Sequence, residues 1–118
     1  MVKENPHIYI VDDDEEVRLA LRRLLVSTGH LVDTFSSGQN FLDSIPLDSE
    51  GLIILDIIMP EMDGFALQKK LKELHSKLGI IFISGFANAQ DRERAMALGA
   101  KGFLQKPFSE ESLLELLH

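Results

Sequence analysis

Apolar residues along this chain keep two rhythms. Ile8-Tyr9-Ile10-Val11, Leu52-Ile53-Ile54-Leu55 and Ile80-Ile81-Phe82-Ile83 are unbroken apolar runs. Such runs leave no position for water, as in strands buried on both faces of a parallel sheet. Between them apolar positions recur at helical spacing. Val17, Ala20, Leu21, Leu24 and Leu25 predict a helix over residues 15–27, and Leu67, Leu71 and Leu74 point inward from one over 64–76 whose lysines face out. Residues 31–35 alternate apolar with polar, as an edge strand does. Residues 37–45 predict a short helix burying Phe41, Leu42 and Ile45, and residues 46–51 a loop. Gly79 precedes the fourth strand, a helix spans 90–98, and residues 102–105 form a fifth strand. Ser109 opens a last helix with Glu110 and Glu111 in its first turn, where carboxylates suit the helix dipole. Gly29 and Gly99 stand where C-terminal caps belong.

Five strand–helix units without repeats or low-complexity segments predict an α/β fold, a doubly wound five-stranded parallel sheet with right-handed crossovers. The flavodoxin-like strand order 2-1-3-4-5 fits, with strands one and three side by side at the switch point where open sheets bind ligands. Residues 1–118 are one domain. The Leu-rich final helix stops at His118 in mid-pattern without a Gly or Asn cap, so the chain is expected to be a piece of a longer protein.

The polar residues gather at one sheet edge. Asp12 and Asp13 follow the first strand, Asp56 ends the third, Ser84 the fourth, and Lys106 follows the fifth. Asp56 is set apart from a helix cap, because the better-placed cap for the following helix is Asp63; Pro60 stops the strand and Gly64 supplies permissive backbone. Asp14 and Glu15 read as cap and solvated first turn. Three clustered carboxylates raise one another's pKa and persist most easily around a cation. The ligands are all oxygens, which selects hard Mg²⁺. Formally, three negative charges are balanced by Mg²⁺ and Lys106, and the remaining occupant is an oxyanion that both can hold. An EF-hand over residues 12–17 fails because Val17 stands where that loop needs Gly.

Composition narrows the classes. Twelve Lys and Arg against nineteen Asp and Glu give a net charge of −7 without any basic run, which argues against nucleic-acid or anionic-membrane binding by this domain. No cysteine is present, so disulfides and thiolate metal sites are excluded. Nothing at the N-terminus resembles a signal peptide, and the simplest compartment is the cytoplasm.

The motifs Val11-Asp12-Asp13, Leu55-Asp56, Met59-Pro60, Asp63-Gly64, Ser84-Gly85, Gly99-Ala100 and Phe103 followed by Lys106-Pro107-Phe108 resemble, in order and on the expected strands, the receiver domain of two-component response regulators. The resemblance implies that Asp56 is the phosphoacceptor for a phosphohistidine of a sensor histidine kinase. It implies that Asp13, Asp56 and the backbone carbonyl of Ile58 bind Mg²⁺, with Asp12 acting through a metal-bound water. Lys106 and Ser84 would hold the phosphoryl oxygens, and Ser84 and Phe103 would switch the surface of the fourth and fifth units. On that basis the protein is a signalling domain rather than an enzyme, with transcription as the preferred output, and it forms a homodimer on phosphorylation. A receiver in a hybrid sensor kinase or a stand-alone phosphorelay protein is the alternative output. The resemblance, with the need to turn Lys106 back over the sheet, also implies a cis Lys106-Pro107 peptide. Ser84 stands where Thr is usual, and Ile58 and Phe86 are apolar where many receivers are polar; both should shield the phosphoryl group from water.

Other chemistries fit less well. A haloacid-dehalogenase-like phosphatase wants a second Asp where Ile58 stands, and a flavin or nucleotide binder wants a Gly- or hydroxyl-rich loop where residues 12–16 are acidic. A degenerate docking module would lack site residues that are all present.

Overall fold

The computed structural model describes residues 5–46, 48–85 and 88–117. Among these, five strands alternate with five helices: β1 (Ile8–Val11), α1 (Glu15–Ser27), β2 (Val32–Phe35), α2 (Gly38–Ser44), β3 (Leu52–Asp56), α3 (Gly64–Glu73), β4 (Gly79–Ser84), α4 (Ala89–Ala97), β5 (Gly102–Gln105) and α5 (Glu110–Leu116). All strand pairs are parallel and the order is β2-β1-β3-β4-β5. No helix among the described residues is long and apolar enough to cross a membrane.

Strand periodicity divides the apolar interior into two layers. Tyr9, Val11, Ile53, Leu55 and Phe82 face α2, α3 and α4, joining Phe41, Phe65, Leu67, Leu71 and Ala95. Ile8, Ile10, Leu52, Ile54, Ile81 and Ile83 face α1 and α5, joining Leu21, Leu25, Leu113 and Leu117. Every residue of β3 is buried, Asp56 included. Each fully buried Ile or Leu contributes about 1.5–3 kcal/mol relative to exposure, so this strand anchors the sheet.

Local chemistry sets the helix starts. Asp14 caps α1, accepting from the Glu16 and Val17 amides at 2.9 and 3.3 Å, and Asp63 caps α3, accepting from Ala66 at 2.8 Å. Ser109 caps α5, and Asn88 with Asp91 forms a reciprocal capping box that starts α4 one residue before Gln90. Gly29 and Gly99 take φ of 91° and 95° directly after the caps of α1 and α4.

Four expectations are corrected. β2 begins at Val32, and Leu31 is exposed. α3 ends at Glu73, because His75 takes a left-handed φ of 56° and closes the helix before Ser76; Leu74, expected inward, is 37% exposed at the margin of the core beside Leu42, Ile45 and Leu71. Ala20 faces solvent although it lies near the apolar stripe of α1. The left-handed residue of the turn after β3 is Glu61 at φ 66°, not Gly64. Gly64 is needed for closeness instead: a Cβ there would lie 2.5 Å from the Asp56 carbonyl oxygen and 2.9 Å from the Ile57 Cα. The start of α3 is thereby pressed against the end of β3, with the Gly64 amide donating to the Ile57 carbonyl at 2.8 Å.

Candidate functional site

The sheet order brings β1 and β3 together, so the residues at their carboxyl ends share one edge. Val11 pairs with Leu55, placing Asp12 beside Asp56. Asp12 is wholly buried, Asp56 nearly so, and Asp13 exposed. Each of the three offers an oxygen within 4.8 Å of the others. Lys106 Nζ reaches over from the end of β5 to 3.1 Å from Asp12 Oδ2 and 3.7 Å from Asp56 Oδ2. The Lys106-Pro107 peptide is cis, as anticipated.

Asp12 is held from several directions. Its Oδ1 accepts from the Asp14 amide at 2.9 Å and its backbone carbonyl accepts from Arg18 Nη1 at 2.7 Å. Arg18 was not singled out from sequence; its only signal was a charged position one turn into α1, where salt-exposed arginines are common. Asp56 is less well compensated. Among the described residues its Oδ1 accepts one long bond, 3.4 Å, from the Ile58 amide. Burial, then the neighbouring Asp12, push its carboxyl up to about 6, against the lowering pull of Lys106 and of the Ile58 amide, while Asp13 adds a further upward push.

Ser84 is buried at the end of β4, one residue beyond Ile83, which pairs with Asp56. Its carbonyl accepts the Lys106 amide at 2.8 Å, tying the fourth and fifth strands where both deliver site residues. Phe103 pairs with Phe82 on β5, on the sheet face that carries Ser84, with ring centroids 6.4 Å apart. It is half-buried and lines a cavity of about 270 Å³ with Asn88, Ala89, Arg92 and Gln105, beneath the start of α4. Ile58 lies just past β3 with its side chain 56% exposed beside Asp56. Phe86, the other apolar flank expected from sequence, lies outside the described residues.

The donor set suits a hard divalent cation. It consists of carboxylate oxygens close enough to share one ion, and Lys106 offsets only one of three negative charges. The upward push on Asp56 comes first from burial and then from Asp12, and a cation bound among the three carboxylates would oppose both. The constellation therefore offers a carboxylate nucleophile, a cation seat and an ammonium within reach of a single oxyanion.

Known proteins resemble this chain in sequence and fold. The family model described as the response regulator receiver domain matches residues 8–118. The response regulator protein TodT of Pseudomonas putida is 46% identical over 107 residues, 91% of this chain and 47% of TodT. The transcriptional regulatory protein FixJ of Bradyrhizobium diazoefficiens is 39% identical over 111 residues, 94% of this chain and 54% of FixJ. The chain thus spans about half the length of these curated relatives. The solved structure of the response regulator StyR superposes with a TM-score of 0.89 at 39% identity, covering 96% of this chain and 57% of that one.

Proposed function

Because this chain belongs to the response regulator receiver domain family, we propose that it is the phosphoacceptor module of a two-component pathway, with Asp56 taking the phosphoryl group. The observation that carries the reading is the Asp56 carboxylate at the end of the central strand, among two other carboxylates and 3.7 Å from Lys106.

In this mechanism an Asp56 oxygen attacks the phosphorus of a sensor kinase's phosphohistidine in line. The new O–P bond forms as the P–N bond breaks, leaving an acyl phosphate on Asp56 and returning the electron pair to the imidazole. Asp13, Asp56 and the Ile58 carbonyl would hold Mg²⁺, with Asp12 reaching it through water; bound there, the ion supplies charge neutralisation for the phosphoryl oxygens and keeps Asp56 ionised. Lys106 exchanges its pairing with Asp12 and Asp56 for a phosphoryl oxygen. The Ser84 hydroxyl donates to another oxygen, and Phe103 follows into the cavity beneath α4. The surface of α4 and β5 is thereby rearranged, a population shift whose differential is set by these few new bonds.

The names of TodT and FixJ support an output in transcription, and the reading puts the protein in the cytoplasm, where a kinase makes phosphohistidine from ATP. Phosphorylation would favour pairing of two copies through α4, β5 and α5; sedimentation with and without beryllofluoride should show a heavier species only with it. The decisive experiment is mass spectrometry after treatment with acetyl phosphate and Mg²⁺. One added phosphoryl group that Asp56→Asn abolishes is expected. Labelling retained in that variant would overturn the assignment.

A further inference from the structure

Helix α4 is weakly anchored. Of its nine residues only Ala95 is buried, and two open clefts of about 680 and 340 Å³ lie along its contact with α3. Gln68 of α3 lines both clefts and is only 3% exposed, although it lies in a polar Gln-Lys-Lys run that reads as surface. Its Nε2 donates to the carbonyls of Ala95 and Leu98, at 3.3 and 3.4 Å. The Ala95 carbonyl already accepts the Ala100 amide at 3.0 Å, so Gln68 adds a second donor there and one at the Leu98 carbonyl, a supplement to the C-terminal cap of α4 supplied by another helix. Beside it, Arg94 of α4 stacks 4.2 Å over the Phe65 ring.

The cap is a strained bargain. Both bonds are longer than the 2.9–3.0 Å at which N–H···O contacts cluster. The amide's Oε1 is buried with no hydrogen-bond partner among the described residues, a cost that offsets part of what the two bonds contribute. A displacement of a few tenths of an ångström would release it, and the flanking clefts leave room for that displacement.

We propose that Gln68 is the latch of the switch. Its amide holds the C-terminal end of α4 to α3 in the arrangement seen here, with Lys106 closed on Asp12, and lets go when α4 shifts in the phosphorylated form. Gln68 thus sets the resting balance between the two arrangements. The proposal rests on the phosphoacceptor reading above. The mechanical route is short: Ser84 ends the strand that leads to α4, and a helix of nine residues transmits a displacement at its first turn to its last. Gln68 touches no reacting atom; it is a positioning residue.

The test is a thermodynamic cycle. Gln68→Met keeps length and flexibility but removes the amide. A latch made only in the resting arrangement destabilises that arrangement alone when removed, so the variant should bind beryllofluoride with Mg²⁺ about 2- to 12-fold more tightly than the wild type, the range equivalent to one net hydrogen bond. Its melting temperature should fall without the mimic and fall less with it. A static brace would lower both equally and leave mimic affinity unchanged, which would overturn the proposal. A wild type that fails to respond to beryllofluoride would overturn the phosphoacceptor reading, and the latch with it. Should the variant not fold, the Gln68 side-chain amide can be followed by NMR in the wild type. Loss of hydrogen-exchange protection on adding the mimic is expected, and unmoved, still-protected resonances would refute the latch.

Discussion

Replacing Asp56 by Asn should stabilise the protein in the absence of metal, and the gain should depend on pH. The buried carboxyl is pushed from 3.8 to about 6, chiefly by burial and by Asp12. The unfolded chain therefore ionises at this position before the folded one does as pH rises. Stability is retained below pH 4, lost progressively between about pH 4 and 6, and stays lost above. At 1.36 kcal/mol per pH unit the full loss is about 3 kcal/mol. Asparagine keeps an oxygen for the Ile58 amide and carries no charge, so at pH 7.5 in chelator the variant should be more stable by about 3 kcal/mol. For a domain of this size that is about 10 °C in melting temperature. At pH 4 the two proteins should converge. Mg²⁺ should narrow the gap at neutral pH, since it binds the wild-type carboxylate better than the amide. Urea unfolding at the two pH values, with and without Mg²⁺, reads all of this. A variant no more stable than the wild type at pH 7.5, or equally more stable at pH 4, would refute the electrostatic account of Asp56.

Gly64→Ala forces a Cβ to 2.5 Å from the Asp56 carbonyl oxygen and should cost more than about 2 kcal/mol in urea unfolding; an unchanged midpoint would show that α3 can back away freely. Lys106→Gln removes the main lowering influence on Asp56, so the Asp56 carboxyl should titrate above 6 by NMR; an unchanged or lower midpoint would remove Lys106 from the electrostatics of the site. Ile58→Asn offers a water-binding amide beside Asp56 and should speed loss of the phosphoryl group several-fold, about 1 kcal/mol in barrier, with an unchanged decay rate counting against shielding by Ile58.

The legible part of the fold was carried by strands whose burial is total. Ile53, Ile54 and Leu55 admit no exposed face, so both their strand character and their central place follow from sequence. Caps were legible where one side chain decides them, as at Asp14 and Asp63. The end of α3 was not, because it depends on His75 entering a left-handed conformation that Gly or Asn would ordinarily advertise. The residues that cluster at the sheet edge could be named because strand ends are sequence-local. Their pairing could not: that Lys106 sits closer to Asp12 than to Asp56 is decided by the path of the chain after β5. Gln68 is the clearest failure, since its neighbours Lys69 and Lys70 are exposed and only the position of α4 buries it.

The division of the interior into two apolar layers with no side chain in common has an evolutionary consequence. Leu21, Leu25 and Leu113 pack on one face of the sheet, and Phe65, Leu67 and Ala95 on the other, with only backbone between them. Substitutions on opposite faces share no neighbours, and their effects on stability should add to within about 0.3–0.5 kcal/mol. Lineages can therefore diversify the α1–α5 side while the α3–α4 side drifts on its own clock, and recombined halves should remain compatible.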